Sequence, residues 1–530
     1  MGWKSTLAFP IAKLLHGRLQ RASLNPHAAQ QKVLDQLRIK GQQTAFGQDH
    51  GLAALYSHED LVRLVPIRDY EGLKSYFDCV VEGESDVLWP GRPAYFAKTS
   101  GTTSGVKYIP ITKDSLPNHF GTARNALFNY FGRSGKGQWL DGKMIFLSGS
   151  PELEDKNGIP IGRLSGISNH LIPAWVKRGQ LPSYETNCIE DWESKLDAIV
   201  KETVGQDLRL ISGIPPWVQM YFERLLAVTG KTSVLEIFPN FSVFVYGGVN
   251  YEPYRAQIEN LIGGSIDSVE TYPASEGFIA FQDRGPGEGL LLNVDSGIYF
   301  EFVPLEEAHK EKPTRLSLKE VQLGKDYALI LSSNAGLWGY AIGDTVEFVS
   351  LNPYRIKVSG RVKHYISAFG EHVIGKEVEL AMQEAVAKHG GRVTEFHVAP
   401  QVTPPSGEAP YHEWFIEFAE LPISEKRLPH QSAEATDRND EEGVPISVSH
   451  PTSHISHPIS AFAKTLNQSM LLQNIYYADL IEGKVLQPLK VTVVRRGAFR
   501  RYMESQGKLG GQNKVPRLGN DRKIADVILK

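Results

Sequence analysis

The stretch Thr99-Ser100-Gly101-Thr102-Thr103-Ser104-Gly105-Val106-Lys107 places hydroxyls, two glycines and a lysine between strand-like Tyr95-Phe96-Ala97 and strand-like Tyr108 to Ile111. Glycine lets the backbone turn its amides toward an anion, hydroxyls add donors, and lysine adds positive charge. That chemistry suits a polyphosphate; a plain glycine hairpin is the alternative. A Walker loop requires four residues between its first glycine and Gly-Lys-Ser/Thr, whereas three separate Gly101 from Gly105. The fragment Gly230-Lys231-Thr232 fails the same test, because Leu225 stands where the first glycine belongs.

Three further segments carry usable groups. Thr271-Tyr272-Pro273-Ala274-Ser275-Glu276-Gly277 follows strand-like Ser268-Val269-Glu270, and the end of a strand is where open α/β sheets bind ligands. Its ring can stack on a base, its hydroxyls can bond phosphate, and its carboxylate can hold magnesium. Gly339-Tyr340-Ala341-Ile342-Gly343-Asp344 ends on an acid able to accept from both ribose hydroxyls, or to cap a turn. Gly360-Arg361 offers a fixed positive charge, or a solvated loop arginine.

The elements that must position these groups read as α/β. Asn25-Pro26 starts a helix bearing Val33, Leu34 and Leu37 on one face. Strand-like Leu208 to Ile214 and Ser242 to Val249 alternate with helices carrying Leu196, Ile199 and Val200, then Val218, Tyr221, Phe222 and Leu225. This predicts a mostly parallel sheet covered by helices in a large domain, residues 1–352. After Asn352-Pro353, strands near Tyr354 to Val358, Arg392 to Ala399, Glu413 to Phe418 and Leu489 to Val494 alternate with two helices. The order β-α-β-β-α-β predicts a smaller α+β lid domain, residues 353–530. Its segment 423–457, rich in Ser, Glu, Pro and His without apolar periodicity, reads as a flexible loop. The spacing of His430, His450, His454 and His457 matches no zinc pattern.

Length and composition bound the rest. A chain of 530 residues, 41% hydrophobic and 22% charged, is too long for one core. Net charge −3 gives no basis for a nucleic-acid partner. Two distant cysteines, Cys79 and Cys188, make no disulfide framework, which predicts a cytoplasmic setting. No stretch approaches the roughly 20 apolar residues of a membrane span. Met1 to Leu19 mixes Trp3, Leu7, Phe9, Ile11 and Leu14 with basic residues and reads as an amphipathic helix, either packed core or a surface anchor.

In order and spacing, the Gly/Ser/Thr loop, Tyr-x-x-Ser-Glu-Gly, Tyr-x-x-Gly-Asp and Gly-Arg resemble the adenylate-forming superfamily of acyl-CoA ligases, luciferases and peptide synthetase adenylation domains. Thr-Ser-Gly-Thr-Thr-Ser-Gly-Val-Lys-Tyr-Ile-Pro, Tyr-Pro-Ala-Ser-Glu-Gly and Tyr-Ala-Ile-Gly-Asp look most like the Gretchen Hagen acyl-acid amido synthetases. The closing segments Leu486 to Val491, Gly497-Ala498-Phe499 and Gln512 to Arg517 extend that likeness to most of the chain.

The resemblance implies ATP and magnesium. By similarity, Thr99, Ser100, Gly101, Thr102, Thr103 and Lys107 bind phosphates, and Gly247-Gly248-Val249 faces adenine. Tyr272, Ser275 and Gly277 line the adenine and α-phosphate site, Glu276 holds magnesium, and Asp344 holds the ribose. It further implies that a small carboxylic acid becomes an acyl-adenylate and passes to an amine. Phe120, Arg124 and Phe128, at i, i+4 and i+8 after the first motif, are the candidate acyl-pocket residues. This sequence departs from the ligases where they carry an acidic pair after Gly-Arg, having Val362-Lys363-His364, and Ser367 replaces their usual lysine. Neither Lys514 nor Lys523 lies in their terminal lysine motif, which leaves Arg361 as the candidate catalytic cation beside Lys107 and Glu276. Acyl-CoA ligation and non-catalytic nucleotide binding are the competing readings. Sequence does not define the oligomeric state.

Overall fold

A computed structural model describes all residues except 1, 101–105, 173, 190, 249–250, 363–364, 367–370, 372, 403, 405–408, 423–456, 483–485, 507–514 and 520. The described residues form two compact units that divide after Val362.

In the first unit, β-branched and aromatic runs build an eleven-stranded sheet. One half is parallel: Lys143–Phe146 pairs with Leu208–Ser212, which pairs with Val243–Gly247, which pairs with Asp267–Ala274. Alternation along these strands sends Phe244 to one face and Val243 and Val245 to the other. The first face packs beneath the helices Pro215–Thr229 and Glu252–Ile262 through Tyr221, Phe222 and Ile258. The second packs against the helix Thr122–Ser134 through Tyr130 and Phe131. Burial on both faces is what makes Lys143–Phe146, Leu208–Ser212 and Val243–Gly247 largely apolar, whereas Asp267–Ala274 keeps polar residues along its length.

The other half is antiparallel. At the hairpin between Asp267–Ala274 and Gly277–Phe281 the sheet reverses, and each later pair runs antiparallel out to Ile298–Pro304. The expected mostly parallel sheet is therefore mixed, because short connections join later strands where no crossover helix fits. Tyr354–Arg361, assigned by sequence to the second domain, forms a hairpin with Tyr340–Leu351 in this sheet. Residues 353–362 thus belong to the first unit. The predicted helix Pro26–Gly41 covers this half with Val33, Leu34 and Leu37. Buried Gln30 donates to the carbonyls of Val294 and Ile298 and accepts from the Phe300 amide, fixing that helix on the edge strand.

A separate four-stranded sheet contains the hairpin Tyr95–Ser100 and Val106–Ile111. The helix Trp3–Ser23 lies against Thr122–Ser134, where Phe9 meets Phe131 at 5.4 Å. A Cβ on Gly132 would stand 2.4 Å from the Ala12 carbonyl oxygen, so glycine sets the closeness of the two helices. Among the described residues no helix is long and apolar enough to cross a membrane.

The second unit has the sheet Arg392–Gln401, Tyr411–Glu420 and Lys490–Val493. Helices Gly375–His389 and His457–Gln473 pack on it through Val378, Phe462 and Leu466 against Trp414 and Ile416. Five of the six elements expected of a β-α-β-β-α-β unit are present, the first strand lying in the other unit's sheet. Buried Glu371 lies 2.8 Å from His412 Nε2. Of residues 423–457, read from sequence as a flexible loop, 423–456 lie outside the described residues and position 457 begins the helix His457–Gln473.

Candidate active site

The site gathers at the hairpin ends of the first unit. In the phosphate-loop hairpin Thr99 stands opposite Lys107 and Ser100 opposite Val106. Gly101, Thr102 and Thr103 lie outside the described residues. The Lys107 ammonium sits 5.6 Å from the centre of the Tyr70 ring, which stacks on Phe77 at 4.7 Å. The Tyr70 hydroxyl accepts from the Tyr108 amide at 3.1 Å, so one tyrosine steadies both the strand and its lysine.

Ser275 and Glu276 form the two-residue turn between the paired Ala274 and Gly277. Tyr272, buried three positions before Ser275, donates its hydroxyl to Asp344 Oδ2 at 2.6 Å. Asp344 stands opposite Arg361 in its strand pair, and Arg361 Nε donates to Asp344 Oδ1 at 2.7 Å. The Arg361 side chain is 52% exposed and that of Asp344 15%, so the pair presents its positive end outward. Asp344 therefore lies within a strand, where both its oxygens are engaged, and does not cap a turn.

Charge ties the cluster together. Burial pushes the Glu276 carboxyl up to about 6, Asp344 adds to the rise, and Arg361 and Lys107 oppose it. One carboxylate thus feels cations delivered by two sequence-distant segments. Burial, then the Asp344 carboxylate, holds the Tyr272 hydroxyl well above the usual phenol range. Asp344 is the largest cause of the raised Arg361 pKa.

Gly247 ends its parallel strand against Thr271, where a Cβ would lie 2.2 Å from the Thr271 carbonyl oxygen. Gly248 has φ +72°, a left-handed conformation that favours glycine. Their backbone runs beside the Tyr272 strand, while Val249 lies outside the described residues.

The acyl-pocket candidates lie along the segment that runs from the π-turn into the helix Thr122–Ser134. Phe120 sits in the π-turn Pro117–Gly121, Arg124 is exposed and donates to Asn125, and Phe128 is buried in the core beside Trp139. Lys523 is exposed and pairs with Asp521, and Lys514, Lys363, His364 and Ser367 lie outside the described residues.

Sequence reasoning missed Asn118. It is buried in the π-turn, accepts from the Phe278 amide at 2.7 Å, and donates to the Phe278 carbonyl and to Ser296 Oγ. It therefore fixes the strand that follows Glu276. An asparagine beside a proline at a helix start reads as a cap, and only contact 160 residues away reveals its role. Asn118→Ala leaves the Phe278 amide buried without its partner and is expected to destabilise the chain by about 2 kcal/mol, measured by urea unfolding. Tyr70 was missed for the same reason. Arg68 pairs with the Tyr340 strand by main-chain bonds with Gly339 and Ala341, and no local pattern marks so distant a partnership.

The chain matches the GH3 family N-terminal domain over residues 15–171, the central domain over 291–361 and the C-terminal domain over 376–523. It belongs to the GH3 family. The central-domain match closes on Arg361, the last residue of the strand paired with the one that carries Asp344.

Among GH3 relatives, the chain is 24% identical over 311 residues to indole-3-acetic acid-amido synthetase GH3.3 of Arabidopsis thaliana, covering 56% of this chain and 46% of that protein. It is 21% identical over 383 residues to jasmonoyl-L-amino acid synthetase JAR4 of Nicotiana attenuata, covering 60% and 66%. With jasmonoyl-L-amino acid synthetase GH3.5 of Oryza sativa it shares 21% over 554 residues, 89% of each chain. The matched stretch spans about half of the first relative and just under two thirds of the second.

The fold is that of the solved GH3.15 acyl acid amido synthetase, with TM-score 0.74 at 15% identity over 97% of this chain and 95% of that one. A 2-hydroxyisobutyryl-CoA ligase in its postadenylation state aligns with TM-score 0.53 at 11% identity, covering 97% and 90%. The likeness is one of fold, a large α/β N-terminal domain followed by a smaller α+β C-terminal domain.

Proposed function

We propose that this chain is an ATP-dependent acyl-acid amido synthetase, which activates a small carboxylic acid as its acyl-adenylate and transfers the acyl group to an amino acid or other amine. The observation that carries the reading is the hydrogen-bonded chain Tyr272–Asp344–Arg361, which starts at Tyr272 on the strand that leads into the Ser275-Glu276 turn, within a GH3 frame whose relatives are named amido synthetases.

A carboxylate oxygen of the acid attacks the α-phosphorus of ATP, and the bond to the departing pyrophosphate oxygen breaks. The amine nitrogen then attacks the acyl carbon, the carbon–oxygen bond to AMP breaks, and the surplus proton leaves to solvent. Little covalent chemistry falls to the protein, whose task is alignment and charge stabilisation. Lys107, Thr99, Ser100, Gly101, Thr102 and Thr103 take the phosphates, with the Tyr70 ring steadying Lys107. Tyr272, Ser275 and Gly277, beside Gly247-Gly248-Val249, take the adenine and α-phosphate side. Asp344 takes the ribose while Tyr272 and Arg361 hold its carboxylate in place. Arg361, with its exposed guanidinium edge, meets the charge that develops on the α-phosphate.

Glu276 fits magnesium: it offers hard, desolvated oxygens, and that ion is commonly held by one or two carboxylates together with substrate phosphate. No cluster of three acidic, histidine or cysteine ligands occurs among the described residues. Bound there, magnesium supplies neutralisation of phosphate charge. The free thiols Cys79 and Cys188 accord with a cytoplasmic enzyme.

The test is carboxylate-dependent exchange of pyrophosphate into ATP over a panel of acids, followed by amino acids or CoA as acceptors. Exchange with amide product is the expected outcome. Thioester alone would make the chain an acyl-CoA ligase, and no exchange with any acid would leave a nucleotide-binding regulator.

A further inference from the structure

The helix Trp3–Ser23 has two apolar faces, and packing uses only one. Phe9, Ala12 and Leu15 join the core cluster of Phe131 and Trp139, and Asp141 clamps the start of the helix by accepting from the Gly2 and Ser5 amides and the Ser5 hydroxyl. On the opposite side Trp3 is 72% exposed, Leu7 68%, Ile11 59% and Leu14 74%. Their spacing of four, four and three puts them in one stripe, which the same spacing continues into exposed Arg18 and Arg21. Surface helices ordinarily turn polar residues outward, and an apolar outer stripe marks a surface that something covers.

Charge identifies what covers it. The helix has no acidic residue, while Lys4, Lys13, Arg18 and Arg21 are all exposed, in a chain whose net charge is −3. Lys4 flanks the stripe beside Trp3 and Leu7, and Arg18 and Arg21 close its far end. A second copy of this helix would bring like charges together, and a peptide groove would require an opposite wall that a convex helix lacks. Apolar side chains led by a tryptophan, bordered by basic groups long enough to reach outward, match the boundary between acyl chains and anionic headgroups.

We propose that the outer face of Trp3–Ser23 seats this chain on the surface of an anionic phospholipid bilayer, with the helix lying in the plane of the interface. The inner face keeps its contact with Thr122–Ser134, so docking needs no unfolding. Each basic residue near an anionic surface contributes about fivefold to partitioning at moderate salt.

The test is co-sedimentation of the full chain with vesicles of phosphatidylcholine alone and of phosphatidylcholine with an equal part of phosphatidylserine. Binding to the mixed vesicles only, weakened by added salt, is expected. The triple variant Lys4→Glu, Arg18→Glu, Arg21→Glu should lose about a hundredfold or more in partitioning, and Leu7→Ser with Ile11→Ser should lose binding at any salt. Because these side chains are exposed, both variants should keep the wild-type thermal transition and the wild-type pyrophosphate exchange in solution. Absence of wild-type binding, equal binding to both lipids, or a dimer seen by light scattering that the serine variant dissolves would each overturn the proposal.

Discussion

Glu276→Gln is expected to remove nearly all acyl-adenylate formation while making the folded chain more stable above pH 6. Desolvation raises this carboxyl from 4.5 to about 6, so the native state holds its proton more tightly than the unfolded chain does. The stability gained from that proton is complete below pH 4.5 and is lost as pH rises through 6. Above that, the ionised group costs about 2 kcal/mol. Glutamine keeps the shape and carries no charge to desolvate. Thermal unfolding of the two proteins should therefore agree at low pH and separate as pH rises, the variant melting higher. Pyrophosphate exchange should fall by about a hundredfold or more with the loss of the anionic ligand. Equal melting at all pH values would show the carboxylate to be compensated in the fold.

Arg361→Ala should lower adenylation turnover at saturating ATP by about a hundredfold and alter the KM for ATP by only a few-fold. The guanidinium is half-exposed and its partner Asp344 retains the Tyr272 hydroxyl, so ground-state binding keeps most of its contacts. For the same reason, loss of the pair should cost about 1 kcal/mol or less of stability. Arg361→Lys should restore part of the turnover, since a point charge replaces a fork that reaches Asp344 through Nε. Unchanged turnover in the alanine variant would discard Arg361 as the catalytic cation.

What the sequence disclosed was local. Tyr221, Phe222 and Leu225 recur at helical spacing, and β-branched Val243 and Val245 alternate with Phe244, so the helices and strands of the parallel half were readable. Lys107, Glu276, Asp344 and Arg361 were readable through the order of their motifs. What escaped depended on pairing between distant segments. Tyr354–Arg361 reads as a strand in either domain, and only its register with Tyr340–Leu351 assigns it. Asn118 and Tyr70 act through main-chain amides, which carry no residue-specific signature. Counting in 3.6-residue turns relates Arg124 to Phe128 within one regular helix, whereas the π-turn at Pro117–Gly121, which carries Phe120, has no signature in the residue pattern.

The reversal of the sheet at Ser275-Glu276 bears on how lineages of this fold can diverge. With Ala274 paired to Gly277, the turn has no slack. One inserted residue would need a second irregularity like the one already present between Phe278 and Ala280, or would exchange the two faces of a strand with every residue buried. The hairpin pairing therefore fixes the distance from Tyr272 to the acid at the turn. Side chains around the turn can be exchanged at constant spacing more readily than residues can be added, so backbone pairing protects the spacing of the motif where it does not protect the identity of its neighbours.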